Sequence, residues 1–210
     1  MKQKYFIDFH KGITLFFILF LINWYSAYDN VTIWVYLGLH GTYGVLWVIK
    51  SMVFPDKAWE VKTGFFYGLF ILVGLSLYWI SPWIIVSGYF NNGKIVDPPL
   101  WIISLAIFLF GLGVFLHFSS DMQKHTALKL NPGTLVMDGL FSKSRNMNYF
   151  GELLIYISFA LLSMHWIPFV ALLIFIISIW IPNIVKKEKS LSRYQEFENY
   201  KNKTGIFFPF

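Results

Sequence analysis

Six apolar stretches alternate with polar connections along this chain. They run approximately over 12–28, 31–49, 63–87, 99–118, 149–163 and 166–185. A helix that crosses a bilayer needs about 20 predominantly apolar residues. The fifth stretch reaches that length only by borrowing from 145–148. The third is long, and Pro82 is placed to kink or end it. The pattern predicts an all-α integral membrane protein with about six transmembrane helices. Composition points the same way: 57% of residues are hydrophobic and 13% charged, where soluble domains carry about 25% charged residues.

Charge orients the helices. Lys2, Lys4 and Lys11 lie in the N-terminal arm, and Lys50, Lys57 and Lys62 join the second and third stretches. Lys124, Lys129, Lys143 and Arg145 join the fourth and fifth, and the remaining six of this group fall in the tail after 185. With six helices, all but Lys94 of the 17 basic residues share one side. The positive-inside rule then predicts cytoplasmic N and C termini. The same placement explains the net charge of +6 by topology and not by nucleic acid. Asn23-Trp24-Tyr25-Ser26 is a poor signal-peptide cleavage site, so the first stretch reads as a retained helix. The absence of cysteine excludes disulfides, Cys-ligated zinc, iron–sulfur clusters and a thiol nucleophile. No internal repeat is visible, and a single membrane domain is expected over 1–210.

Polar side chains inside such segments are costly and mark function by default. In "GLHGTYGVLWVIK", 38–50, His40, Tyr43, Trp47 and Lys50 share one helical stripe. Gly38, Gly41 and Gly44 permit close approach of a neighbour. A packing seam with a hydrogen-bonded His and a Lys anchoring at the interface accounts for this stripe equally well. Tyr67 and Tyr78 fall nearly on one face of the third helix, where an interfacial aromatic belt is the simpler expectation. "GFFYG", 64–68, suggests a small-residue packing contact.

The connection 117–148 is richer. Asp121, Gln123, Lys124, His125 and Lys129 follow the fourth stretch, and turns are expected at Asn131-Pro132-Gly133 and Asp138-Gly139. Then "SRNMNYFGELLIY", 144–156, gathers Arg145, Asn146, Asn148, Tyr149 and Glu152 at the mouth of an apolar helix. Asn148, Glu152 and Tyr156 share a face. A helix N-terminus beside cationic side chains suits an anionic ligand. Capping and pairing with nearby lysines is the structural alternative. The basic, aromatic tail, 186–210, reads as a solvated interfacial helix whose lysines are able to close over such a ligand.

"SDMQKHTALKLNPG", "GLFSKSRNMNYFGE" and "KKEKSLSRYQEFENYKNKTGIFFPF" together resemble, over roughly 117–210, the steroid 5-alpha-reductase-like membrane proteins. Sterol C14-reductases are similar in the same region. The resemblance implies an NADPH-dependent reductase acting on a carbon–carbon double bond of a lipophilic substrate. It makes 117–210 the cofactor-binding part and 1–116 a four-helix N-terminal part. Asp121, Lys129, Arg145, Asn148, Glu152, Lys186 and Tyr194 would serve the cofactor on the cytoplasmic side. His40 and Tyr43 are the polar groups available to stabilise charge on a substrate carbonyl and return a proton. Several features depart from that family. Arg145-Asn146-Met147-Asn148-Tyr149 stands where relatives often read Arg-His-Pro-Asn-Tyr, and the second-helix acid of steroid reductases has no counterpart. Isoprenylcysteine and phospholipid methyltransferases share the hairpin and bind S-adenosylmethionine there. Their motif histidine and proline are absent, and their tail Glu-Glu pair is Glu188-Lys189. A non-catalytic membrane protein is the third reading. Lipids and a lipophilic small molecule are the expected partners, with no metal and no nucleic acid.

Overall fold

A computed structural model describes residues 1–209. Among them the chain forms α1 (Gln3–Trp24), α2 (Val31–Val53), α3 (Phe65–Ser76), α4 (Ile80–Ser87), α5 (Leu100–Leu130), α6 (Met147–Leu162), α7 (Ile167–Phe175), α8 (Ile181–Leu191) and α9 (Phe197–Lys203). The fold is that of an all-α integral membrane protein. Five helical spans are long and apolar enough to cross a membrane: α1, α2, α3 with α4, α5, and α7 with α8. Helix α6, at 16 residues, is shorter.

The third span is interrupted as its proline demands. Pro82 has no N–H to offer the carbonyl of residue 78, and a 3-10 turn, Leu77–Trp79, takes up the break before α4 resumes. The last span, α7 with α8, is interrupted too, by a π-helical turn at Ile176–Trp180.

The described chain divides into two compact units, 1–108 with 157–171, and 109–156 with 172–209. The first is built on α1 packed against α2, α3 and α4. Glycines set the α1–α2 approach. A Cβ on Gly44 would collide with the Lys11 carbonyl oxygen, and one on Gly41 would meet Leu15. In "GFFYG", Gly68 lies against the Phe6 ring, while Gly64 faces open space.

In the second unit α5 and α6 cross backbone to backbone. A Cβ on Gly151 would lie 2.5 Å from the His117 nitrogen and 2.7 Å from the Gly113 oxygen. Beyond α5, Gly133 and Gly139 adopt positive φ at the two expected turns. Gln123 fastens the second: its amide donates to the Asp138 carbonyl at 2.6 Å and accepts from the Leu140 N–H at 3.1 Å.

Three expectations are corrected. Lys11 and Lys50 are not solvated topological charges; they are 2% and 4% exposed. Each keeps its ammonium against aromatic rings, Lys11 over Tyr43, Trp47 and Tyr78 and Lys50 over Trp47. Tyr67 is exposed as a belt residue would be, but Tyr78 is buried against Lys11. The tail is not one solvated helix. Helix α8 continues the last span, α9 follows a turn, and residues 204–207 return to residues 143–146.

Candidate functional site

The stripe on α2 folds inward as a unit: His40, Tyr43, Trp47 and Lys50 are all buried. His40 stacks on Phe159, with ring centroids 4.3 Å apart, and its Nδ1 lies 3.0 Å from the Tyr36 hydroxyl. Its Nε2 is buried with no hydrogen-bond partner among the described residues. The Lys11 ammonium sits 4.5 Å from the centre of the Tyr43 ring. His10, also buried, stacks on Trp79, whose indole donates to Thr14. Burying these groups is tolerable because aromatic faces offer a cation favourable electrostatics without demanding a carboxylate.

The mouth of α6 is organised differently. Arg145, 5% exposed, donates through Nε to both carboxylate oxygens of Glu188 at 3.0 Å. Its Nη1 donates to the carbonyls of Lys201 and Thr204 and to the Thr204 hydroxyl. Lys187 donates to the Arg145 carbonyl at 2.6 Å and to the Asn146 amide oxygen at 3.1 Å. The Asn146 amide donates to the Ile206 carbonyl, and the Ser144 hydroxyl to the Phe207 carbonyl. Tyr200 closes the group by donating to the Phe141 carbonyl at 2.8 Å. Burial pushes the Tyr200 phenol up to about 12. The polar run at 144–146 therefore captures the tail.

One step into the helix the network stops. The Asn148 carbonyl oxygen lies 3.0 Å from His117 Nδ1, but its side-chain Oδ1 is buried without a hydrogen-bond partner. The His117 ring and the Asp121 carboxylate, buried together on α5, are 4.0 Å apart, and Lys124 lies 3.4 Å from the other Asp121 oxygen. Glu152 is half-buried one turn further along α6.

The second unit thus holds Asp121, Lys129, Arg145, Asn148, Glu152, Lys186 and Tyr194, and the first holds His40 and Tyr43. Asp121 and Asn148 are brought together through His117. Arg145 is committed to Glu188 and the tail. Lys129 and Lys186 are exposed, and Tyr194 is half-buried beside Arg193. Sequence reasoning missed His117, although it stands one helical turn before Asp121. It also missed Lys11, His10 and Tyr36, because a basic residue near the start of a span reads as topology. The Arg145–Glu188 pair spans 43 positions and has no local signal.

Among the described residues no group of His, Asp or Glu side chains could hold a metal ion. No curated protein and no solved structure matches the chain. One family does, described as "Protein of unknown function (DUF1295)", and its match runs from 52 to 204. It takes in every residue of the α6 mouth and leaves out His40 and Tyr43. With nearly three-quarters of its length inside that match, the chain belongs to the DUF1295 family.

Proposed function

We propose that this protein is a membrane-embedded, NADPH-dependent reductase of a carbon–carbon double bond in a lipophilic substrate. Asn148 carries the reading. Its amide oxygen is a buried acceptor without a donor, within the Asn-Tyr-x-Gly-Glu run that resembles steroid 5-alpha-reductase-like proteins. Leaving such a group unsatisfied costs roughly 1–3 kcal/mol. A ligand that brings an N–H relieves that cost, and the nicotinamide carboxamide brings one.

The other residues fit the same cofactor. Lys129, Lys143 and Lys186 are exposed cations of the second unit suited to phosphate oxygens. Arg145, occupied by Glu188 and the tail, leaves that task to the lysines. Asp121 and Glu152 supply acceptors for ribose hydroxyls, and Tyr194 supplies a ring. Bound NADPH would provide the hydride. On the substrate side, a Tyr36 hydroxyl that donates to His40 Nδ1, 3.0 Å away, would leave the ring proton on Nε2, the nitrogen without a partner. That N–H stabilises negative charge developing on a substrate carbonyl oxygen. Tyr43, polarised by the Lys11 ammonium over its ring, returns a proton. The basic residues that remain exposed, nearly all on one side of a six-helix arrangement, favour a cytoplasmic cofactor site.

The test is turnover. Purified protein given NADPH and a lipid-soluble enone should saturate the double bond, and His40→Phe should abolish turnover without loss of fold. Methyl transfer from S-adenosylmethionine in place of reduction overturns the reading.

A further inference from the structure

A second polar site lies in the first unit, where the start of α1 meets the end of α2. A small cavity there is walled by Trp47 and Trp59 and carries two carboxylates, Asp8 and Asp56, with two ammonium groups, Lys4 and Lys50. Asp8 is half-buried. Its Oδ2 accepts from the Ser51 hydroxyl at 2.6 Å, while its Oδ1 is buried with no hydrogen-bond partner among the described residues. The Lys50 side chain, 4% exposed, packs over Trp47. None of these residues belongs to the α6 mouth or to the His40–Tyr43 pair.

The charges are of both signs, and Lys4 also pairs with Glu60, itself bridged to Lys2. A simple cation entering the cavity would meet two lysines, and a simple anion would meet two aspartates. A ligand with an ammonium and a phosphate a few bonds apart satisfies both, and the Trp59 indole suits its ammonium and alkyl link. Helix ends carry the cavity, at the level where a bilayer places its head groups, since both helices cross as spans. Beside it the last turn of α2 exposes Met52 and Val53, an apolar surface on which acyl chains can lie.

We propose that this cavity binds the ammonium–phosphate head of a zwitterionic phospholipid, with Asp8 accepting from the ammonium and the lysines facing the phosphate. Native mass spectrometry of the full chain in detergent tests it. The probes are phosphatidylethanolamine, phosphatidylglycerol of the same acyl chains, and soluble phosphoethanolamine. Phosphatidylethanolamine should bind saturably and outlast phosphatidylglycerol. Asp8→Asn and Asp56→Asn should each weaken it on the order of tenfold, leaving the melting temperature and NADPH binding unchanged. Asp56→Asn keeps the acceptor that caps the turn at Ala58, so it reports even if Asp8→Asn fails to fold. Displacement by phosphoethanolamine only at far higher concentration supports the lipid; displacement at matching concentration contradicts the lipid source. Equal retention of the two lipids, or retention unaltered in both variants, overturns the proposal.

Discussion

The two units bury polar groups by opposite means. Around His40 and Lys11 the polar side chains are enclosed by rings; Lys11 lies over three aromatic faces, and His40 stacks on Phe159 beside the Tyr36 hydroxyl. Around Arg145 nearly every donor is spent on a carbonyl or carboxylate brought from far along the chain. The difference separates structure from chemistry. A saturated network holds the tail in place and has little left for a ligand. Buried polar atoms without a hydrogen-bond partner, His40 Nε2 and Asn148 Oδ1 among them, lie outside that network.

The largest effect that separates the two regions should come from Arg145→Ala. It strands Glu188 and frees three tail carbonyl and hydroxyl contacts, and a broken buried pair costs about 3–5 kcal/mol. Thermal melting in detergent should fall sharply, with protease cutting after 190. Arg145→Lys should rescue little, because an ammonium cannot reproduce the fork.

Helix crossings come next, and they test both units alike. Gly44→Ala drives a methyl into the Lys11 carbonyl and Gly151→Ala drives one into the α5 backbone; overpacking of this kind costs about 1–3 kcal/mol. A melt unchanged in either would mean the helices do not meet there.

Tyr200 gives a smaller, pH-dependent effect. Its phenol rises from the ordinary 10.0 to about 12 on folding. The folded form therefore holds the proton more tightly, so its stabilisation is complete below about pH 10 and is lost as pH climbs toward 12. Tail proteolysis followed from pH 8 to 12 should accelerate over that window. Tyr200→Phe should lose roughly 1 kcal/mol and flatten the profile.

The smallest effect is a control within the first unit. A methyl on Gly38 meets nothing, so Gly38→Ala should stabilise α2 by about 0.5–1 kcal/mol, against the loss at Gly44 two turns on.

Periodicity made the spans, the inward face of α2 and the break before Pro82 legible, because each depends on residues within a few turns. The same reasoning misjudged Lys11 and Lys50. Hydropathy counts a lysine near a helix end as solvated and does not register the rings that neighbours on other helices present. At the mouth it marked the polar segment but not the long-range contacts that occupy its densest part. Arg145 and Asn146 resembled ligand-binding groups because their partners, Glu188, Thr204 and Ile206, lie more than 40 positions away. Asn148 was legible by position, while its unsatisfied oxygen is a property of the fold.

Titration calorimetry of NADPH and of S-adenosylmethionine, on wild type and on Asn148→Ala, tests the central claim most directly. NADPH should bind saturably to the wild type. The variant should bind it more weakly by about 1–3 kcal/mol while melting at the same temperature, since Asn148 Oδ1 holds nothing in the free protein. Saturable binding of S-adenosylmethionine with none of NADPH, or NADPH binding untouched by the substitution, would contradict the account.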